Sequence, residues 1–180
     1  MPVPDPLVLV PETGAGLPTA NSYVSLEEAD AYLTNSLSSA RWNALLEDDK
    51  TRFLIAATRW LDQQAKWNGL PTVVGQGLRW PRSGVFDRDC LPVNQNSVPT
   101  QLKEAVCEMA VFFTVPENNP GTFSETFGFS EITVDVITLK FQDGHNANAS
   151  KFLPGLNTLL SGLGRVQTAS GRGFAPIQRV

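Results

Sequence analysis

Apolar positions recur at helical spacing in four stretches of the chain. Ser25 can cap a helix and Glu28 stands three residues on as the return half of a capping box, ahead of Leu26, Ala29, Tyr32 and Leu33. This predicts a helix from about Ser25 to Ser36. A second is expected from Glu47, where Glu47, Asp48 and Asp49 put negative charge on the positive end of the helix dipole. Phe53, Ala57, Trp60, Leu61 and Gln64 then form one aromatic-rich stripe. A third opens at Pro99 and runs to about Val115, with Leu102, Ala105, Val106, Met109, Ala110 and Phe113 on a nearly unbroken apolar face. It should be the most buried helix. A short fourth, opened by Pro154, carries Leu156, Leu159, Leu160 and Leu163.

Between and beyond these stretches the pattern changes. Residues 68–97 hold four glycines and three prolines among short apolar pieces and read as a long irregular connection, a kind that packs as a compact unit or carries function. Ile132, Val134 and Val136 alternate with polar residues, while Ile137, Leu139 and Phe141 continue on the opposite parity, so a bulge or strand break is expected near Val136. Residues 1–19 contain five prolines and read as an extended arm, in which Leu7 to Val10 either forms a short edge strand or lies on a neighbouring molecule. From Gly164 onward three glycines and no acid predict a second arm, disordered alone. The expected fold is mainly α: a bundle of three to four core helices, a small β-strand or hairpin element and two extended arms. The division is an arm at 1–19, a helical domain at 20–163 with a β insertion near 123–141, where Phe123, Phe127 and Phe129 cluster, and an arm at 164–180.

With 180 residues, 42% of them hydrophobic, one domain with an ample core is the default. A net charge of -4 argues against a surface that grips nucleic acid everywhere, so DNA contact must be local. The charge is uneven: residues 1–141 carry 17 acids and 10 bases, residues 142–180 one acid and four bases. No apolar run is long enough for a membrane span, and no secretory signal is visible. Cys90 and Cys107 form no CxxC pair and are expected to be reduced, in a cytoplasm, with Cys107 in the core.

Chemistry for turnover is thin. The one histidine, His145, lies in a polar turn, which suits a solvated residue better than a catalytic base, and one His with two distant Cys supplies no ordinary zinc site. Glu104 and Glu108 read as an exposed helix face, and Asp87-Arg88-Asp89 as an ion-pair knot or as a loop ordered by bidentate Arg contacts. No phosphate-binding glycine loop of the GxxxxGK[ST] type occurs. No catalytic, cofactor-binding or metal residues are assigned, and no enzyme is expected. Arg79, Trp80, Arg82 and Arg88 mix cations with an aromatic, as single-strand binders do, but with acids at 87 and 89 diluting the charge they read better as an anchor holding their loop to the core.

The segment Ala20-Asn21-Ser22-Tyr23-Val24-Ser25-Leu26-Glu27-Glu28-Ala29-Asp30-Ala31-Tyr32-Leu33 resembles the opening of a family of small proteins from tailed bacteriophages and prophages. Trp42 with Leu45, Trp60-Leu61-Asp62, Trp67-Asn68-Gly69, Leu78-Arg79-Trp80-Pro81-Arg82-Ser83-Gly84-Val85, Asp87-Arg88-Asp89 and Val98-Pro99 follow in the same order. The resemblance spans about residues 20–163. Members commonly carry Gly where this chain has Cys90. The family is often labelled DnaT-like single-stranded-DNA-binding, yet resembles head-to-tail connector adaptors in helical plan. The resemblance implies a structural virion protein assembled in the host cytoplasm: a ring of twelve copies in the neck, between portal and a tail or nozzle protein, through which the genome passes without sequence-specific contact and with no membrane involved. It implies portal attachment through a C-terminal arm, for which Arg165, Arg172, Phe174, Ile177 and Arg179 are the candidates. Glu27, Glu28, Asp30, Glu47, Asp48 and Asp49 are candidate channel-facing acids, because negative walls repel phosphate. The alternative is a single-stranded-DNA-binding accessory protein of a phage or prophage.

Overall fold

The computed structural model describes residues 7–118, 131–134, 137–140 and 147–166. It is mainly α with a small β element, as the periodicity predicts. Helix α1 (Leu26–Thr34) begins on the expected capping box: Ser25 Oγ accepts from the Glu28 N–H and Glu28 Oε2 from the Ser25 N–H. A short α2 (Ser39–Asn43), unexpected from the pattern, seats the fully buried Trp42. Helix α3 (Glu47–Gln64) carries three acids in its first turn. Its buried stripe is Leu54, Ala57, Thr58 and Leu61; the expected Phe53 and Trp60 flank it half-buried, and Gln64 is exposed. Both rings pack against the core from the edge of that stripe, Trp60 edge-on to Phe113.

Helix α4 (Thr100–Phe113) buries eight residues, Cys107 among them, and is the most enclosed helix described. Burial pushes the Cys107 thiol up to about 12, whereas Cys90 is exposed. A maleimide should therefore label one thiol of the native protein, Cys90, and the second only after unfolding; two equivalents at native conditions would contradict this burial. Helix α5 (Ala147–Leu159) begins seven residues before Pro154, which lies inside it and not at its start. Leu156, Leu160 and Leu163 close the core, and Phe152 stacks on Phe112 at 4.2 Å.

The strands are short antiparallel pairs. β1 (Ala65–Trp67) pairs with β6 (Gly164–Val166), β2 (Leu70–Pro71) with β3 (Arg82–Ser83), and β4 (Glu131–Val134) with β5 (Ile137–Lys140). The parity switch near Val136 is thus a strand break and not a bulge. Reversal puts Val134 opposite Ile137 and Ile132 opposite Leu139, so parity must change for apolar residues to meet. The insertion residues Phe123, Phe127 and Phe129 and the turn with His145 lie outside the described residues.

Neither arm begins where the composition suggests. Pro11 bridges Ser22 in parallel, and the Glu12 N–H donates to the Ser22 carbonyl at 2.8 Å. Glu12 itself is buried, its carboxylate accepting from the N–H groups of Gly14, Gly16 and Leu17, each at 2.8 Å. Gly14 stands at φ +103°, and a Cβ there would lie 2.1 Å from the Asn96 carbonyl oxygen, so only glycine permits this wrap. At the other end, residues 164–166 are strand β6 with Val166 buried, so the first three residues of the expected arm belong to the body, and residues 167–180 lie outside the described residues.

A buried loop anchor beneath a cationic groove

The long loop between β1 and α4 is fastened by side chains that three separate segments bring together. Tyr23, just before α1, is buried, and its O–H donates to Asp62 Oδ1 on α3 at 2.5 Å. The Trp80 N–H donates to that phenolic oxygen at 3.1 Å, and the Arg79 N–H to Asp62 Oδ2 at 3.0 Å. Burial, then the adjoining Asp62 charge, pushes the Tyr23 phenol well above its usual range. Burial also raises the Asp62 carboxyl, with the hydrogen bonds from Tyr23 and the Arg79 N–H opposing it.

Trp80 is fully enclosed, edge-on to Trp67 at 6.1 Å, and its indole N–H has no acceptor. The indole ring is held by packing alone. Arg82, 8% exposed, donates from Nε to the Asn68 carbonyl, from Nη2 to Gly69 and from Nη1 to Arg79. Its guanidinium thus ties the turn after β1 to the loop's return, and burial lowers its pKa without discharging it. Gly69 must be glycine: it stands at φ +66°, with the Ser83 carbonyl oxygen 2.2 Å from any Cβ.

Of the four residues weighed as anchor or DNA contact, Trp80 and Arg82 are therefore anchors, and their stacking or phosphate role is excluded by burial. Arg79 and Arg88 have exposed side chains. The loop at Asp87-Arg88-Asp89 is ordered by Asp87 Oδ1, which accepts from the N–H groups of Asp89 and Leu91; Arg88 only faces Asp89 at 3.8 Å. The bidentate Arg contact expected there does not form. Cys90 takes φ +62°, the left-handed region that favours the glycine of the related pattern.

Above the anchor, α3 and the loop enclose an open groove of about 1040 Å³, edged by Ile55, Leu70 and Val74 and lined by Arg59, Arg79 and Asp62. Asp62 accepts from the Tyr23 O–H and the Arg79 N–H, and the exposed cations of the lining are Arg59 and Arg79. Arg59 and Glu12 were missed from sequence; an acid followed by two spaced glycines, Glu12-Thr13-Gly14-Ala15-Gly16, is the signal that could have found the latter. A smaller hollow of about 580 Å³ beside Thr13, Pro71 and Asn96 has no titratable lining.

The candidate channel acids are mostly committed within the molecule. Asp30 accepts from the Trp42 indole at 2.6 Å and from Lys50 at 2.9 Å, Glu28 serves the capping box and Lys103, and Asp48 and Asp49 face Arg52. Glu27 and Glu47 are exposed without an ion pair among the described residues. Tyr32 donates to Glu108 at 3.1 Å, so that carboxylate is part of a helix contact. Of the C-terminal candidates, Arg165 lies in β6, and Arg172, Phe174, Ile177 and Arg179 fall outside the described residues. No group of three His, Cys, Asp or Glu that could hold a metal ion, and no helix long and apolar enough to cross a membrane, occurs among the described residues.

A helical body pinned over a Tyr–Asp–Trp–Arg anchor, with exposed cations in the groove above it, defines a small helical domain whose open surface is suited to binding. The chain belongs to the family described as "Putative DnaT-like ssDNA binding protein", whose model matches residues 7–180. No curated protein and no solved structure matches it. The residues that carried the resemblance, Tyr23, Asp62, Trp67, Asn68, Gly69 and the Arg79–Arg82 run, are the ones that build the anchor.

Proposed function

We propose that the chain is a structural head-to-tail connector adaptor, without catalytic turnover, that assembles as a ring in the virion neck between portal and tail. The observation that supports this most is the set of large apolar side chains left exposed on the described surface. Leu37 and Val74 are fully exposed, and Leu46, Leu70 and Leu91 are each more than 60% exposed. Side chains of this size cost about 1.5–3 kcal/mol each to leave in water relative to burial, a cost that contact with other subunits would remove. The basic stretch beyond Val166 supplies a further element for a partner. A chain ending at Val166 should fold with β6 intact and lose attachment to portal in a pull-down; retained attachment would remove the arm from the mechanism.

A second reading is single-stranded-DNA binding, and the family's description favours it over the first. Its specific support in the chain is the Arg59–Arg79 groove, since Trp80 is unavailable for stacking. On this reading, binding of an oligothymidylate at low salt is lost in the double variant Arg59→Gln, Arg79→Gln while portal attachment is unaffected. Binding that survives both substitutions would sink the groove as the site.

A further inference from the structure

The antiparallel register of β1 and β6 places Lys66 directly opposite Arg165, and both side chains are exposed. Like charges facing each other across a strand pair destabilise it. Here the pair occupies the central position of a ribbon only three residues long, where there is little else to offset the repulsion. Neither cation has an ion pair or a side-chain hydrogen bond among the described residues. The ion pairs that do occur gather elsewhere: Lys50 with Asp30, Arg52 with Asp48 and Asp49, Lys103 with Glu28, and Arg88 beside Asp89.

The backbone around the pair is held firmly. Val166, next to Arg165, is buried and bound on its N–H by Asn157 Oδ1 at 2.8 Å, and the Asn68 N–H donates to the Leu163 carbonyl at 3.0 Å. Gly164 packs over the Trp67 ring, where a Cβ would sit 2.7 Å from Cε3. Two cations are thus displayed side by side on a rigid ribbon, immediately before a stretch whose only charges are Arg172 and Arg179.

We propose that Lys66 and Arg165 form a phosphate-binding ridge that contacts the backbone of a DNA strand. The inference rests on the second reading, single-stranded-DNA binding, and names residues outside the Arg59–Arg79 groove. An anionic strand converts the repulsion into attraction, so the ribbon keeps a locally unfavourable pair for the sake of its ligand. A guard against edge-to-edge pairing would need only one lysine.

The test is fluorescence anisotropy of a labelled oligothymidylate with the full chain, at several KCl concentrations, alongside thermal melts. In Lys66→Gln, Arg165→Gln the slope of log K against log salt should fall by about 1.4, from about 0.7 per phosphate contact on a single strand. The melting temperature should stay level or rise, because a repulsion has been removed. An unchanged slope overturns the ridge and leaves the groove reading intact if the Arg59 and Arg79 substitutions still abolish binding. Wild-type protein that binds no oligonucleotide overturns both, while the adaptor reading stands on portal attachment. Loss of binding with a lowered melting temperature also overturns the ridge, since it makes the two residues structural.

Discussion

Trp80→Ala is expected to cost about 3–5 kcal/mol of folding stability, the range for removing a large aromatic from a closed core. The indole is fully buried against Trp67, and its backbone N–H is one arm of the hydrogen-bonded anchor. Urea unfolding followed by tryptophan fluorescence measures it, with the exposed Arg79→Ala expected within about 0.5 kcal/mol of wild type. A Trp80→Ala loss below about 1 kcal/mol would mean that the ring packs against nothing that matters. The substitution cannot serve as a probe of base stacking, because any DNA binding it abolishes would be lost with the fold.

Glu12→Ala should be the next most damaging change, at about 3 kcal/mol, since it strands three backbone N–H groups that now share one buried carboxylate. Native-state hydrogen exchange reads this directly: the amides of Gly14, Gly16 and Leu17 should lose protection together, while those of α4 keep theirs. Independent or unchanged exchange would show that the carboxylate does not hold the turn. Glu12→Gln should recover part of the loss, because the amide oxygen can still accept.

The difference between these residues and the helices shows what was legible in the chain. Helices α1, α3 and α4 announce themselves because a cap at Ser25, a triple acid at Glu47 and a proline at Pro99 act within one or two turns of the chain. Pro154 misled for the same local reason: proline suits a first turn, and only packing by residues on either side of it allows the helix to run through. The anchor could not be read as chemistry, because its pairings are set by tertiary proximity. Arg82 reads in sequence as a loop anchor or a DNA contact, and the three backbone carbonyls around it decide for the anchor. The composition of residues 1–19 reads as an extended arm because proline and glycine exclude regular structure, yet Glu12 ties residues 12–17 into a turn and the Pro11–Ser22 bridge holds the stretch against the body.

The hydroxyl of Tyr23 and the carboxylate of Asp62, 39 positions apart, satisfy each other in a place that water scarcely reaches. Neither can be exchanged alone without stranding its mate. A lineage that loses the phenol leaves Asp62 with the Arg79 N–H alone, and one that loses the acid leaves the Tyr23 O–H with no acceptor for its proton. The two sites therefore drift as one character, and descent should preserve them or replace them in concert.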